Sequence, residues 1–107
     1  KDVEGISFLQ EPSNDYFSNF WLTTILVNPD KTNGITRETI RHKMLEDNIE
    51  TRPLWKPMHL QPVFQHYPAY MNGTCEHLFE QGLCLPSGTN MTKSDKARIE
   101  HVINQLF

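Results

Sequence analysis

The sequence predicts an α+β domain: a small antiparallel or mixed sheet of three short strands, with about three helices packed mainly on one face. Three observations lead there. Aromatic and β-branched residues crowd one stretch, Tyr16 to Asn28, in the manner of a strand. Two other segments carry helix caps followed by apolar residues at helical spacing. The 107 residues contain no repeat and are enough for one domain, not two, so residues 1–107 are read as a single domain.

Taken in order, residues 1–15 show little periodicity, and Pro12, Ser13, Asn14 and Asp15 form a turn cluster. The strand stretch, YFSNFWLTTILVN, is apolar on both faces, with Trp21, Ile25 and Val27 on one and Phe20, Leu22 and Leu26 on the other. Such a strand is buried on both sides or covered by a second body. Asn28 to Gly34 is turn chemistry throughout. A helix then starts at Thr36, with Glu38 in its positive first turn and Ile35 and Ile40 placed as a hydrophobic staple. Ile40 and Met44 share a stripe with Leu45 beside them, and Asn48 is suited to the left-handed conformation that ends a helix. IETRPLW reads as a short strand that runs into a proline-rich loop reaching about Pro68. A short helix follows, roughly Asn72 to Gln81, with Leu78 and Phe79 as its apolar face and Gly82 as its C′ residue. Leu83 to Pro86 is a brief strand, and SGTN is a turn. Thr92 and Asp95 then open the clearest helix, whose Ile99, Val102, Ile103 and Leu106 recur at i, i+3, i+4 and i+7.

Composition excludes several functions. Net charge is −3 and the lysines and arginines are scattered, so the basic stripe of a nucleic-acid binder is missing. No apolar run approaches the roughly 18 residues of a membrane span. KDVEGISFLQ has no signal-peptide core, so a cytoplasmic protein is expected, and the sequons at Asn72 and Asn90 are chance matches. Cys75 and Cys84 read as reduced thiols rather than a disulfide framework. Hydrophobic content is 37%, which fits a modest core or a face hidden against something else. The chain begins at Lys1 without an initiator methionine, and the expectation is that it was processed or cut from something longer.

Little catalytic chemistry is visible. His42, His59, His66, His77 and His101 lack HxxxH or HExxH spacing and no CxxC exists, so no metal site is expected. His42 and His101 read as solvated, Cys84 as a buried inert thiol, and Cys75 as a helix-start thiol without a partner. Ser87 has no G-x-S-x-G setting, and glycine-rich phosphate loops are absent. The stretch left over is RPLWKPMHLQPVF, Arg52 to Phe64, with three prolines in thirteen residues. It is too stiff for a slack linker and too rich in proline for a helix or a central strand. Two accounts stand. Either it is a connector in which Leu54 and Trp55 plug the core, or it is a pre-ordered arm presenting Arg52, Trp55, Lys56 and His59 to an anionic or planar ligand.

RPLWKPMHLQPVF followed by GLCLPSGTNMT resembles the C-terminal part of the DegT/DnrJ/EryC1/StrS family of pyridoxal-phosphate-dependent aminotransferases, which act on nucleotide-linked keto sugars. FWLTTILV resembles the first strand of that family's small domain, and LEDNIETRP its L…GI.TRP element, with Asn48 where glycine is usual. The resemblance implies the C-terminal small domain of a longer fold-type I parent, in the branch that makes amino sugars for bacterial glycans and exopolysaccharide. It implies pyridoxal phosphate in the parent and none bound to this fragment, because the cofactor lysine lies outside it; Lys56 is not that lysine. L-glutamate as amino donor, a homodimeric parent and an inactive fragment follow from the same resemblance. So does a site in which Trp55, Lys56 and His59 line the substrate entrance, Arg52 anchors the loop or meets an anionic group, and Met58 packs near the sugar. A domain cut from such a parent is expected to be less stable, or to self-associate through an uncovered face. The alternatives are a stand-alone nucleotide-sugar-binding or regulatory module, and a structural domain that supports dimerisation.

Overall fold

The sheet starts earlier in the chain than the aromatic stretch. In the computed structural model, which describes residues 3–19 and 21–107, the first strand is β1, Ile6–Phe8. It pairs antiparallel with β2, Thr23–Val27, placing Ile6 opposite Val27 and Phe8 opposite Ile25. After α1, Arg37–Glu46, come the two-residue strand β3, Arg52–Pro53, and a single 3-10 turn, Met58–Leu60. Next are α2, Thr74–Gln81, the strand β4, Gly82–Leu85, and α3, Lys93–Asn104. The sheet order is β1-β2-β4-β3 and every pairing is antiparallel.

Among the described residues the α+β class and the three helices agree with expectation, and the sheet has four strands, not three. The additional strand is only three residues long, and its pairing is set by β2, about twenty residues away, so nothing local marks it. The stretch read as one strand from Tyr16 supplies only Thr23–Val27. Tyr16 and Phe17 lie outside it and are exposed, and Phe20 lies outside the described residues. Pro53 is tolerated because β3 is an edge strand, where a missing backbone donor breaks no ladder on the open side.

One sheet face makes the core. Ile25 and Val27 alternate inward on β2, and Leu83 on β4 sits opposite Ile25 in register. Ile40 and Met44 from α1, Ile49 and Val102 from α3 complete the buried cluster, with Ile35, Ile99, Ile103 and Leu106 packed against it. The staple and the α3 stripe therefore lie as the spacing predicts. Leu45 does not: it is 57% exposed.

The helix ends follow local chemistry at three of four expected places. Thr36 and Thr39 form a reciprocal capping box, as do Thr92 and Asp95. Asn48 adopts φ 55°, the left-handed conformation, and so ends the segment after α1. Gly82 corrects the fourth. It does end α2, its amide donating to the Leu78 carbonyl, but it is extended, at φ −86° and ψ 137°, rather than left-handed, and so it opens β4 directly. Its requirement is space: a Cβ there would fall on the Leu54 side chain and the Leu78 carbonyl oxygen. At the other end of α2 the N-cap is Gly73, left-handed at φ 82°, and the helix starts at Thr74, two residues later than expected.

The α3 cap gives a pH test. Hydrogen bonds from the Thr92 hydroxyl and backbone N–H hold the Asp95 carboxyl below its ordinary value. A depressed carboxyl stabilises the fold above its unfolded pKa, and that contribution disappears as pH falls through the lower folded value. The stability gap between the parent and Asp95→Asn is therefore expected to be full at neutral pH and to close below about pH 4. Urea midpoints across that range measure it, and a gap that persists at low pH would contradict the cap's charge.

Candidate functional site

The edge strand β3 feeds directly into the proline loop, so the fold delivers Arg52 and Trp55 to one rim. There a cavity of about 800 Å³ lies between the start of β2, the outer face of α1 and the β3–β4 edge. Trp21 and Leu22 line it from before β2, Glu38 and Arg41 from α1, Thr51 to Pro53 and Trp55 from β3 and beyond, and Cys84 from β4. Trp21 and Trp55 are each 71% exposed, so two indoles stand open at its walls. Trp55 does not plug the core. Leu54 does part of that work, half-buried, with its amide donating to the Gly82 carbonyl at 3.3 Å.

Charges around the cavity are balanced in pairs. Arg41 Nε donates to Glu38 Oε2 at 2.8 Å, and Arg52 donates through Nε and Nη2 to Glu50 Oε1 at 2.8 and 2.6 Å. An anion drawn to either guanidinium therefore competes with a carboxylate already in place. Lys56 differs: it is exposed, and among the described residues it pairs with no carboxylate. Two further groups in the wall carry no charge. The Thr51 hydroxyl is buried without a hydrogen-bond partner among the described residues, and burial pushes the Cys84 thiol up, away from the thiolate.

Of the five residues singled out from sequence, the cavity gathers Arg52 and Trp55. Lys56 and Met58 lie beyond it on the loop, both exposed. His59 is turned inward, its side chain 17% exposed and its Nε2 2.8 Å from Glu76 Oε1 on α2. Trp21, Arg41 and Glu76 carry no such expectation from sequence. Trp21 reads locally as a strand residue, and the spacing of Glu76 from His59 matches no motif, so only the fold brings them together. His42 is exposed near Glu38 and Arg41, and His101 is exposed beside Gln105. Among the described residues no cluster of three or more histidine, cysteine or acidic side chains is arranged to hold a metal, and no helix is long and apolar enough to cross a membrane.

Comparison with known proteins places the chain in a family. The model of the DegT/DnrJ/EryC1/StrS aminotransferase family matches residues 1–106. A Bacillus subtilis (strain 168) protein named as a pyridoxal phosphate-dependent aminotransferase, EpsN, is 40% identical over 98% of this chain and 27% of its own length. GDP-perosamine synthase of Escherichia coli O157:H7 is 26% identical over 100% of this chain and 28% of its own. Among solved structures, the aminotransferase TlmJ from Streptoalloteichus hindustanus superposes with a TM-score of 0.78 over 97% of this chain and 26% of its own, at 16% identity, a likeness of fold. The chain thus spans about a quarter of the length of the curated relatives it matches. With the family match running from one end of the α+β domain to the other, the chain belongs to the DegT/DnrJ/EryC1/StrS aminotransferase family.

Proposed function

We propose that this chain is the C-terminal small domain of a pyridoxal-phosphate-dependent aminotransferase that moves an amino group from L-glutamate to a nucleotide-linked keto sugar. The observation that carries this is the 40% identity to EpsN across 98% of the chain, joined to a stiff loop that holds Trp55 and Lys56 in the open. The GDP-linked sugar named in the Escherichia coli relative supports a nucleotide sugar as the substrate class. The parent is a cytoplasmic homodimer that serves amino-sugar synthesis for bacterial glycan or exopolysaccharide, and this domain alone is inactive.

Pyridoxal phosphate requires a lysine inside a pocket, and no lysine lines the cavity between Trp21 and Trp55. The residues present do not fit a covalently held cofactor, so its lysine belongs to the remainder of the parent. The cofactor, when bound there, supplies the electron sink for amino transfer. The part left to this chain is substrate reception. An indole offers a flat face to a base or sugar, and an unpaired ammonium meets a phosphate without first displacing a carboxylate. On this account Trp55, Lys56 and Met58 face the substrate entrance, Arg52 anchors the loop through Glu50, and His59 lies behind them.

Two measurements on the full-length enzyme test this. Its visible cofactor band is expected to move when L-glutamate is added. The Trp55→Ala/Lys56→Ala/His59→Ala variant is expected to raise KM for a GDP- or TDP-linked keto sugar by at least about tenfold, the equivalent of one lost stacking or ionic contact. Unchanged KM and kcat in that variant would remove the loop from the substrate site, and an enzyme that never takes up the cofactor would refute the aminotransferase assignment.

A further inference from the structure

We propose that Trp21 is a further substrate-binding residue: with Trp55 it walls a seat for the base of the nucleotide sugar, while the diphosphate stays outside at Lys56. The inference rests on the reading of the proline loop as the receiver of a nucleotide-linked sugar, and it assigns the parts of that substrate to places.

The two indoles stand open although they line the same cavity, each 71% exposed. An indole left in water forgoes the burial of a large apolar surface, which a flat ligand restores. The backbone under each is already held. The Trp21 amide donates to Asn19 Oδ1 at 3.1 Å, and two residues on the Thr23 amide donates to Ser87 Oγ at 2.7 Å. The Ser87 hydroxyl in turn donates to the carbonyl of Leu85, itself in the cavity wall. On the other side Trp55 follows Leu54, whose amide donates to Gly82, and it stands between Pro53 and Pro57. A ligand that stacks on walls mounted in this way has little further ordering to offset.

Charge decides which part of the substrate enters. The charged residues of the cavity are Glu38 with Arg41 and Glu50 with Arg52, and the two pairs cancel. A diphosphate gains no net attraction there. A base carries no charge, and its polar edge suits such a rim, since each guanidinium keeps N–H donors that its carboxylate does not take. Lys56, beside Trp55 and outside the cavity, is the exposed cation that meets a phosphate without a competing carboxylate. The keto sugar has to reach the cofactor, and no lysine lines this cavity. The unreactive end of the substrate is therefore the end that enters. A volume of about 800 Å³ falls within the roughly 300–1,000 Å³ of small-molecule sites, enough for a purine or a pyrimidine.

The test uses the full-length enzyme. Kd is measured for GDP, UDP and TDP in turn, and inorganic pyrophosphate is read by its displacement of the tightest of them. Trp21→Ala is expected to weaken that nucleotide about tenfold, as when one base loses its aromatic platform, and to leave pyrophosphate within about twofold of the parent. Trp21→Phe keeps a ring and is expected to bind the nucleotide within about threefold of the parent. Equal weakening of nucleotide and pyrophosphate by Trp21→Ala overturns the proposal, because a ring that only shapes the site acts on both. Unchanged nucleotide affinity in Trp21→Ala, beside a loss in Trp55→Ala, overturns it and leaves the loop's role standing. No loss in either variant removes the loop from the substrate site, and the proposal falls with that premise. If Trp21→Ala does not fold, indole emission decides: the nucleotide is expected to quench it less in Trp21→Phe than in the parent, and an identical quench overturns the proposal.

Discussion

Met44→Ala is expected to destabilise the chain by about 2–5 kcal/mol. Met44 is completely buried, and it shares one small cluster with Ile25, Val27, Ile40, Ile49, Leu83 and Val102. That cluster joins α1 and α3 to the sheet, so a void at Met44 is felt by all three. Truncation loses the transfer of the side chain from water and leaves a cavity that stiff β-branched neighbours fill poorly. A domain's whole stability is only about 5–15 kcal/mol, so the loss is a large share of it. Urea unfolding followed by circular dichroism measures the effect. The neighbouring Leu45→Ala is the control: at 57% exposure it is expected to change stability by no more than about 0.5 kcal/mol. A Met44→Ala loss below about 1 kcal/mol would mean that the α1 seam closes over the void.

Gly82→Val is expected to cost about 3 kcal/mol or more, at the upper end of overpacking. The cause is steric, since the Gly82 backbone is in the extended region open to every residue. Its Cβ would meet two things, the Leu54 side chain and the Leu78 carbonyl oxygen. Leu54 has rotamers to give; the carbonyl belongs to the last turn of α2, where it accepts the Gly82 amide. Relief on both sides therefore shifts α2 or the start of the proline loop. Two comparisons separate these causes. Leu54→Ala in the Gly82→Ala background is expected to recover part of the loss and not all of it. Gly34→Ala meets nothing within 4 Å and is held at φ +84°, so it is expected to lose only the left-handed backbone preference, about 1–2 kcal/mol. A Gly82→Val chain as stable as the parent would show that α2 moves freely on β4. Because Leu54 precedes Trp55, the proposed role of the loop in receiving the substrate carries one more expectation, that Gly82→Val weakens nucleotide binding in the full-length protein.

The features legible in the sequence are those whose cause lies within about four residues. Thr36 and Thr92 cap their helices through hydrogen bonds that reach three residues along the chain, so a four-residue window of sequence shows them. Asn48 takes its left-handed place because its short polar side chain tolerates it. Ile99, Val102 and Ile103 face the core because a helix repeats every 3.6 residues. The proline loop is legible as stiff, since three fixed φ angles need no partner to act. Tertiary structure alone decided the rest. Ile6–Phe8 is a strand because β2 offers it an edge, and Gly82 is required because Leu54 arrives above it from 28 positions earlier. Trp21 stands at the cavity wall instead of in the core because β2 begins only at Thr23. His59 and Glu76 meet because α2 folds back along the loop, bringing together two side chains that sequence spacing leaves unrelated. Local hydrogen bonds and periodicity form at little cost in chain entropy, and so leave their signature in a short window. Long-range contacts form only when loop closure is offset by burial elsewhere, so their positions are a property of the whole fold.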